Sequence, residues 1–268
     1  MSIFIFLSHD VDWGRGGAPL SHILARRERF DEETIRNAAR DNPYYNIPEF
    51  LEMEDKFGVR STFFFRTNVK CSRHPPPPYN LEEYKSDIRS MLSEGWEVGL
   101  HSDPISIRDV KHLEREKKEL ENMAGIKIYG NRVHYFSNDM RLYPNLKKLG
   151  FKYDSSIMYC RDKIVEDAFG FFMKDGVIIF PVTFVEALAF TYLVRIEADV
   201  LKLFKQIIRT CLRQIQNKII TIIWHNCSLK MRYGRKYGEV LEYLTSLKNV
   251  YIRKGIELAN MVEKGNLQ

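Results

Sequence analysis

The apolar run Ile3-Phe4-Ile5-Phe6-Leu7 leads directly into Ser8-His9-Asp10-Val11-Asp12-Trp13. A run this apolar and this short reads as a buried strand. Unpaired charge is costly to bury. Two carboxylates and an imidazole at the mouth of such a strand therefore call for a metal, a proton or an ion-pair partner. Asp10 and Asp12 are two residues apart, so in extended backbone they point to the same side. The chain thus begins with a core strand that delivers two acids to one place.

Strand-like and helix-like segments alternate after it. Strands are expected at 61–65, 96–100, 126–133, 151–153, 177–182, 219–224 and 250–252, with helices over 47–57, 81–94, 106–123, 139–149, 197–217 and 235–248. A short polyproline turn is expected at Pro75–Pro78. Alternation of this kind in 268 residues fits a parallel α/β architecture. Hydrophobic residues make up 44% of the chain and aromatic residues 13%, enough for a sizeable core in a single domain spanning 1–268.

The polar residues fall where the expected strands end. The first strand ends in His9, Asp10 and Asp12, the second in Arg66, and the third in His101, Ser102 and Asp103. Then come Arg132, His134 and Tyr135, Asp154 with Ser155 and Ser156, and finally His225 with Asn226. In a parallel barrel all these ends converge on one face, where barrel active sites lie. An open sheet would keep the first and last strands apart. A (β/α) barrel of seven or eight strands is therefore expected.

Other classes are disfavoured. The net charge of +6 is mild and dispersed, with one denser stretch at Lys230, Arg232, Arg235 and Lys236, and lacks the concentrated basic stripe of a nucleic-acid binder. No segment reaches the roughly 18 uninterrupted apolar residues of a membrane span, and the first residues lack the basic leader of a signal peptide. Cys71, Cys160, Cys211 and Cys227 are scattered without a C-x-x-C pair, as expected for reduced thiols in a cytoplasmic protein.

Taken together, His-Asp-Val-Asp-Trp, Ser-Thr-Phe-Phe-Phe, Glu-Val-Gly-Leu-His-Ser, Arg-Val-His-Tyr, Tyr-Asp-Ser-Ser and Trp-His-Asn resemble, in order, the motifs of the polysaccharide deacetylases of the NodB-homology type, the family-4 carbohydrate esterases. The Asp-Val-Asp spacing is similar to one branch of that family. The resemblance implies a distorted (β/α) barrel that removes acetyl groups from sugars with a metal, usually zinc. Matched residue by residue, it implies Asp10 as general base, Asp12 and His101 as metal ligands, Arg132 as the residue holding the base, Asp154 as part of the pocket's charge network, and His225 as general acid. Where the family has a second histidine ligand, four residues after the first, this chain has Ile105. Asp103 or His134 is then the expected third ligand for zinc or another divalent ion. Trp13 and Tyr135 are candidates for stacking on a sugar ring, and Ser102 and Asn226 for further substrate contacts. His9 is placed between strand cap and pocket wall. His22, His74 and His112 are expected on loop or helix surfaces.

The roles agree with elementary chemistry. A metal acidifies water and polarises a carbonyl. A guanidinium keeps a neighbouring carboxylate ionised and able to take a proton. Imidazole is the natural acid near neutrality. The expected activity is hydrolytic deacetylation of an N-acetylated sugar or glycan precursor. The rivals are a metal-independent hydrolase of a non-peptide C–N bond, prompted by Ile105, and a sugar-binding module without turnover.

Overall fold

Alternation along the first strand, β1 (Ile3–Val11), sets an outer and an inner side. Ile3, Ile5, Leu7 and Val11 join the large core beneath the helices, whereas Phe6 packs with Phe64, Tyr153, Ile178 and Phe180 in a separate inner cluster. The computed structural model describes residues 2–71, 77–214 and 218–267.

The other strands are β2 (Thr62–Phe65), β3 (Glu97–Ser102), β4 (Gly130–Val133), β5 (Tyr153–Asp154), β6 (Phe172–Lys174), β7 (Val177–Ile179), β8 (Phe184–Val185), β9 (Ile219–Ile223) and β10 (Val250–Arg253). They form one sheet in the order β6-β7-β5-β4-β3-β2-β1-β9-β8, and β10 also pairs with β1. Every pairing is parallel except β6 with β7. The segment just before β6 returns to β9 through a Phe169–Ile220 bridge and a Gly170 N–H to Ile219 carbonyl bond of 2.8 Å. The two ends of the sheet order are thereby brought together, curling it into a distorted barrel. Parallel register sets Asp10 opposite Phe64 and His101 opposite Arg132, so the strand ends open on one face.

Helices cover the outside. The helix Ala198–Arg213 buries Val200, Leu203, Phe204, Ile207, Ile208 and Cys211 at three- and four-residue spacing, the mark of an apolar stripe. Phe204 packs 4.7 Å from Phe184, ring centre to ring centre. Burying each such side chain contributes roughly 1.5–3 kcal/mol. The helix Gly255–Glu263 places Leu258 and Ala259 against the inner cluster.

All eight expected strands are present, with shifted limits (β1 and β10 run further than expected), and β6 and β8 add to them. The segment 126–129 is not a strand, and β3 extends to Ser102. A helix at Glu186–Tyr192 was not anticipated. Residues of the expected Pro75–Pro78 turn, His74 and the end of the helix expected over 197–217 lie outside the described residues. Among the described residues no helix is long and apolar enough to cross a membrane.

The inner cluster depends on two close backbone approaches. A Cβ on Gly99 would lie 2.5 Å from the Phe64 ring, and one on Gly130 would lie 2.2 Å from the Tyr153 hydroxyl. Tyr153 cannot swing aside, because it is fully buried and its hydroxyl donates to Glu97 at 2.9 Å. Overpacking of this kind costs about 1–3 kcal/mol. Gly130→Ala is therefore expected to lower the melting temperature by several degrees in calorimetry, at roughly 2–4 °C per kcal/mol for a chain of this size. An unchanged melting temperature would contradict this packing.

Candidate active site

The even-numbered residues of β1 continue inward above the aromatic cluster. Arg132, at the end of β4, lies with its guanidinium 4.2 Å from the Phe64 ring centre and is completely buried. It donates to Asp10 Oδ1 at 2.6 Å, to Ser8 Oγ at 2.9 Å, to Ser155 Oγ at 3.0 Å and to the Ser155 carbonyl at 3.0 Å. Burial alone would raise the Asp10 pKa. The positive charges of Arg132 first, and of His225, outweigh it and hold the carboxyl well below its usual range. Asp10 is thus an ionised, buried carboxylate with Oδ1 engaged and Oδ2 facing His101 at 3.8 Å and His225 at 4.0 Å.

Asp12, His101 and His134 bring one donor atom each to within 4.8 Å of one another. Asp12 Oδ1 is 3.8 Å from Nε2 of both histidines. His101 Nδ1 is 2.9 Å from the Arg132 carbonyl, which can only accept, so the proton is on Nδ1 and the Nε2 lone pair faces the acids. Burial lowers the His101 pKa further than Asp10 and Asp12 raise it, favouring that neutral form. Asp12 Oδ1 is buried without a hydrogen-bond partner. Donors 3.8 Å apart are within the span of an ion about 2.0–2.2 Å from each. The donor set of two imidazoles and one carboxylate, with an orphaned oxygen between them, fits a divalent metal.

His134 directly follows β4, and unusual backbone follows it. Tyr135 and Phe136 both have left-handed conformations, φ 68° and 60°. Such residues cost of order 1 kcal/mol or more each and cluster at functional sites. The Tyr135 ring, largely exposed, stacks on His134 at 3.9 Å. Ile105, by contrast, sits in the turn Pro104–Ile107.

His225 follows β9. Its Nδ1 donates to Glu186, 2.9 Å from Oε1, and its Nε2 lies 3.7 Å from Asp12 Oδ2. Glu186, the first residue of its helix, is 1% exposed. Burial alone would lower the His225 pKa. The Glu186 carboxylate, with Asp12 and Asp10, pushes it instead up to about 10. Sequence reading missed Glu186. Its signal was an acid directly after the short apolar pair Phe184-Val185, the same pattern that marked the other strand ends.

Several expected residues have different places. Asp103 does not reach the site, because its carboxylate faces Arg66 at 3.3 Å and His112 at 3.7 Å. Its backbone N–H donates to Glu116. Of the two candidates expected as a third ligand, His134 is the one that stands beside Asp12 and His101. Asp154 is on the opposite side of its strand from Tyr153, bonded by Asn131 and Ser156 at 2.7–3.0 Å. It is a positioning residue and not a group facing the reacting centre. Ser102 is fully buried and shares the helix-facing side of β3 with Val98 and Leu100, away from substrate. Asn226 clamps backbone, accepting from Asp12 N–H at 3.1 Å and donating to the Trp13 carbonyl at 3.2 Å. His9 points outward and bonds Glu54 at 2.7 Å in the core. His112 is buried, and His22 lines a cavity, so neither is on an inert surface.

No protein-family model and no curated protein matches the sequence. Among solved structures the chain is similar to a protein of Mycobacterium smegmatis classed as a polysaccharide deacetylase, at 19% identity and TM-score 0.66 over 99% of this chain and 91% of that one. It is also similar to a probable polysaccharide deacetylase of Pseudomonas aeruginosa PAO1, at 14% identity and TM-score 0.63 over 100% and 93%. PuuE allantoinase gives 15% identity and TM-score 0.62 over 98% and 90%. The chain therefore has the distorted (β/α) barrel fold of the polysaccharide-deacetylase structures.

The His225–Glu186 pair has a measurable consequence. A histidine whose folded pKa is raised from 6.5 to about 10 adds stability that is fully present below pH 6.5 and lost as pH rises through about 10. In chelator-treated protein the His225 imidazole signals should titrate near that upper limit. Glu186→Gln should move the midpoint down by about one unit or more in NMR titration. An unmoved midpoint would show that Glu186 does not govern His225.

Proposed function

We propose that this chain is a divalent-metal-dependent hydrolase that removes the acetyl group from an N-acetylated sugar or glycan precursor. The observation that carries the reading is the buried Asp10–Arg132 pair set beside the Asp12, His101 and His134 donors at the open end of the barrel. A divalent ion held by those three residues, zinc by its donor chemistry, supplies Lewis acidity that makes water acidic and polarises an acyl carbonyl.

The chain's own groups do the rest. Asp10 Oδ1 is fixed by Arg132, so Oδ2 is the atom that takes the proton of the attacking water. Glu186 fixes the His225 ring through Nδ1, leaving Nε2–H directed toward Asp12 and the reacting centre. His225 then gives its proton to the departing nitrogen. The C–N bond breaks, a C–O bond forms, and acetate and a free amine leave. The charge arrangement resembles the carboxylate–histidine pairing of other acyl-transfer sites. Trp13 and the exposed Tyr135 flank the opening and offer ring faces to a sugar.

A metal-independent hydrolase of a cyclic amide is the second reading, prompted by Ile105 and by the fold shared with PuuE allantoinase. The orphaned Asp12 Oδ1 between two imidazoles favours the first. The test is acetate release by zinc-loaded protein across a panel of N-acetylated sugars, with and without chelator. Activity should be lost with chelator and restored by metal. Asp10→Asn should lower kcat/KM by about 10²–10⁴, as for loss of a general base, while a folded circular-dichroism spectrum is retained. Full activity in chelator would support the second reading. Absence of acetate from every substrate with folded, metal-loaded protein would refute deacetylation.

A further inference from the structure

A cavity of about 480 Å³ is lined by Asp12, Glu186 and His225 and also by Arg26, Arg29 and Arg232. Its volume falls in the range of small-molecule sites. The groups proposed to hydrolyse the amide and three arginines therefore share one cavity.

Those arginines differ from their neighbours in how their charge is balanced. In the basic stretch near residue 232, Lys230 pairs with Asp41 at 2.8 Å, Arg235 with Asp31 at 2.9 Å and Glu197 at 3.1 Å, and Lys236 with Glu239 at 2.6 Å. Among the described residues, Arg232 and Arg26 have no carboxylate within 4.0 Å, and Arg29 has only the exposed Glu28 at 3.9 Å. Arg26 instead touches the neutral His22 ring at 3.3 Å. Three arginines without a close ion pair thus line this one cavity, whose wall also carries Glu28 and Glu186.

The backbone segments that carry these arginines are joined. The Arg232 N–H donates to the Arg29 carbonyl at 2.7 Å, tying the 228–236 segment to the turn Arg27–Arg29. The preceding helix, Leu20–Leu24, is fastened to the site by the His22 ring against Trp13, 4.6 Å between centres. Burial and then the charges of Arg26 and Arg29 lower the His22 pKa, the sign of a positive local field. Guanidinium forks match phosphate oxygens, and such bonds are among the stronger ones available.

We infer that the substrate is a phosphorylated N-acetyl sugar, its phosphate or diphosphate bound by Arg26, Arg29 and Arg232 while its acetamido group lies at Asp12 and His225. This rests on the deacetylase reading for the second half only. The phosphate site stands on the cavity and its arginines.

The test is calorimetric titration of the isolated, zinc-loaded protein with N-acetylglucosamine, N-acetylglucosamine 1-phosphate and inorganic pyrophosphate. Both phosphate compounds should bind at least about tenfold more tightly than the neutral sugar, in keeping with charge-assisted bonds. The advantage should shrink from 50 to 500 mM salt. Arg26→Ala combined with Arg232→Ala should abolish the advantage, and Arg235→Ala, outside the cavity, should leave it. Uridine diphosphate N-acetylglucosamine compared with a short prenyl diphosphate N-acetylglucosamine identifies a soluble or a lipid-linked source, and tight, arginine-dependent binding of either supports the inference. Equal affinity for neutral and phosphorylated sugar, or phosphate binding unaffected by the double variant, would overturn it. Acetate release is scored separately. Arginine-dependent phosphate binding without any acetate would sink the deacetylase reading and leave the phosphate site, whereas release of acetate with no phosphate preference would do the reverse.

Discussion

The ion pair between Arg132 and Asp10 is the interaction on which the site depends. Both side chains are essentially excluded from water, and their contact is 2.6 Å. A buried pair is weak evidence for stability, because desolvating two charges offsets most of their attraction, yet removing either partner costs about 3–5 kcal/mol. Here the pair is completed by Ser8, two groups of Ser155 and the Phe64 ring face. Every one of those partners comes from a barrel strand or its immediate end. The barrel has to close in one register for Asp10 to be ionised and its Oδ2 left open. Fold and chemistry meet in this one contact.

The position of that contact follows from layering. Phe6, Phe64, Tyr153 and Phe180 fill the lower barrel, and Gly99 and Gly130 make room for two of those rings. Arg132 rests on the layer, Asp10 on Arg132, and Asp12, His101, His134 and His225 surround the opening. The dielectric falls toward the aromatic layer, so charge is strongest where it is best paired. Asp12 is the more exposed of the two acids and has the buried oxygen without a partner, which suits it to an ion and Asp10 to a proton.

Much of the barrel was legible because parallel strands buried on both faces appear as short apolar runs, and eight such runs carried the topology. Spacing also marked Asp10, Asp12, His101 and His225 at or just beyond the ends of their runs, and Arg132 near the end of its own, and the structure brings these five together. The rest depended on direction, which sequence does not carry. Ser102 and Asp154 follow strands as closely as His101 does, but alternation turns them toward the helices. Asp103 is taken up by Arg66 and by His112 of the helix Val110–Ala124. His134, one of the two candidates the sequence offered for a third ligand, stands just past β4 beside Asp12 and His101, with left-handed backbone following it. Glu186 was obscured by a two-residue strand too short to register as a run.

The central claim is that His134 takes the place left by Ile105 and completes a metal site with Asp12 and His101. Its most direct test is the zinc affinity and stoichiometry of chelator-stripped protein, compared with His134→Ala and Asp103→Asn. The account predicts one ion per chain in the parent protein, affinity reduced at least about tenfold by His134→Ala through loss of a ligand, and affinity unchanged by Asp103→Asn. Zinc retained in His134→Ala and lost in Asp103→Asn would contradict the assignment of the third ligand. No zinc in the folded parent protein would contradict the metal site itself.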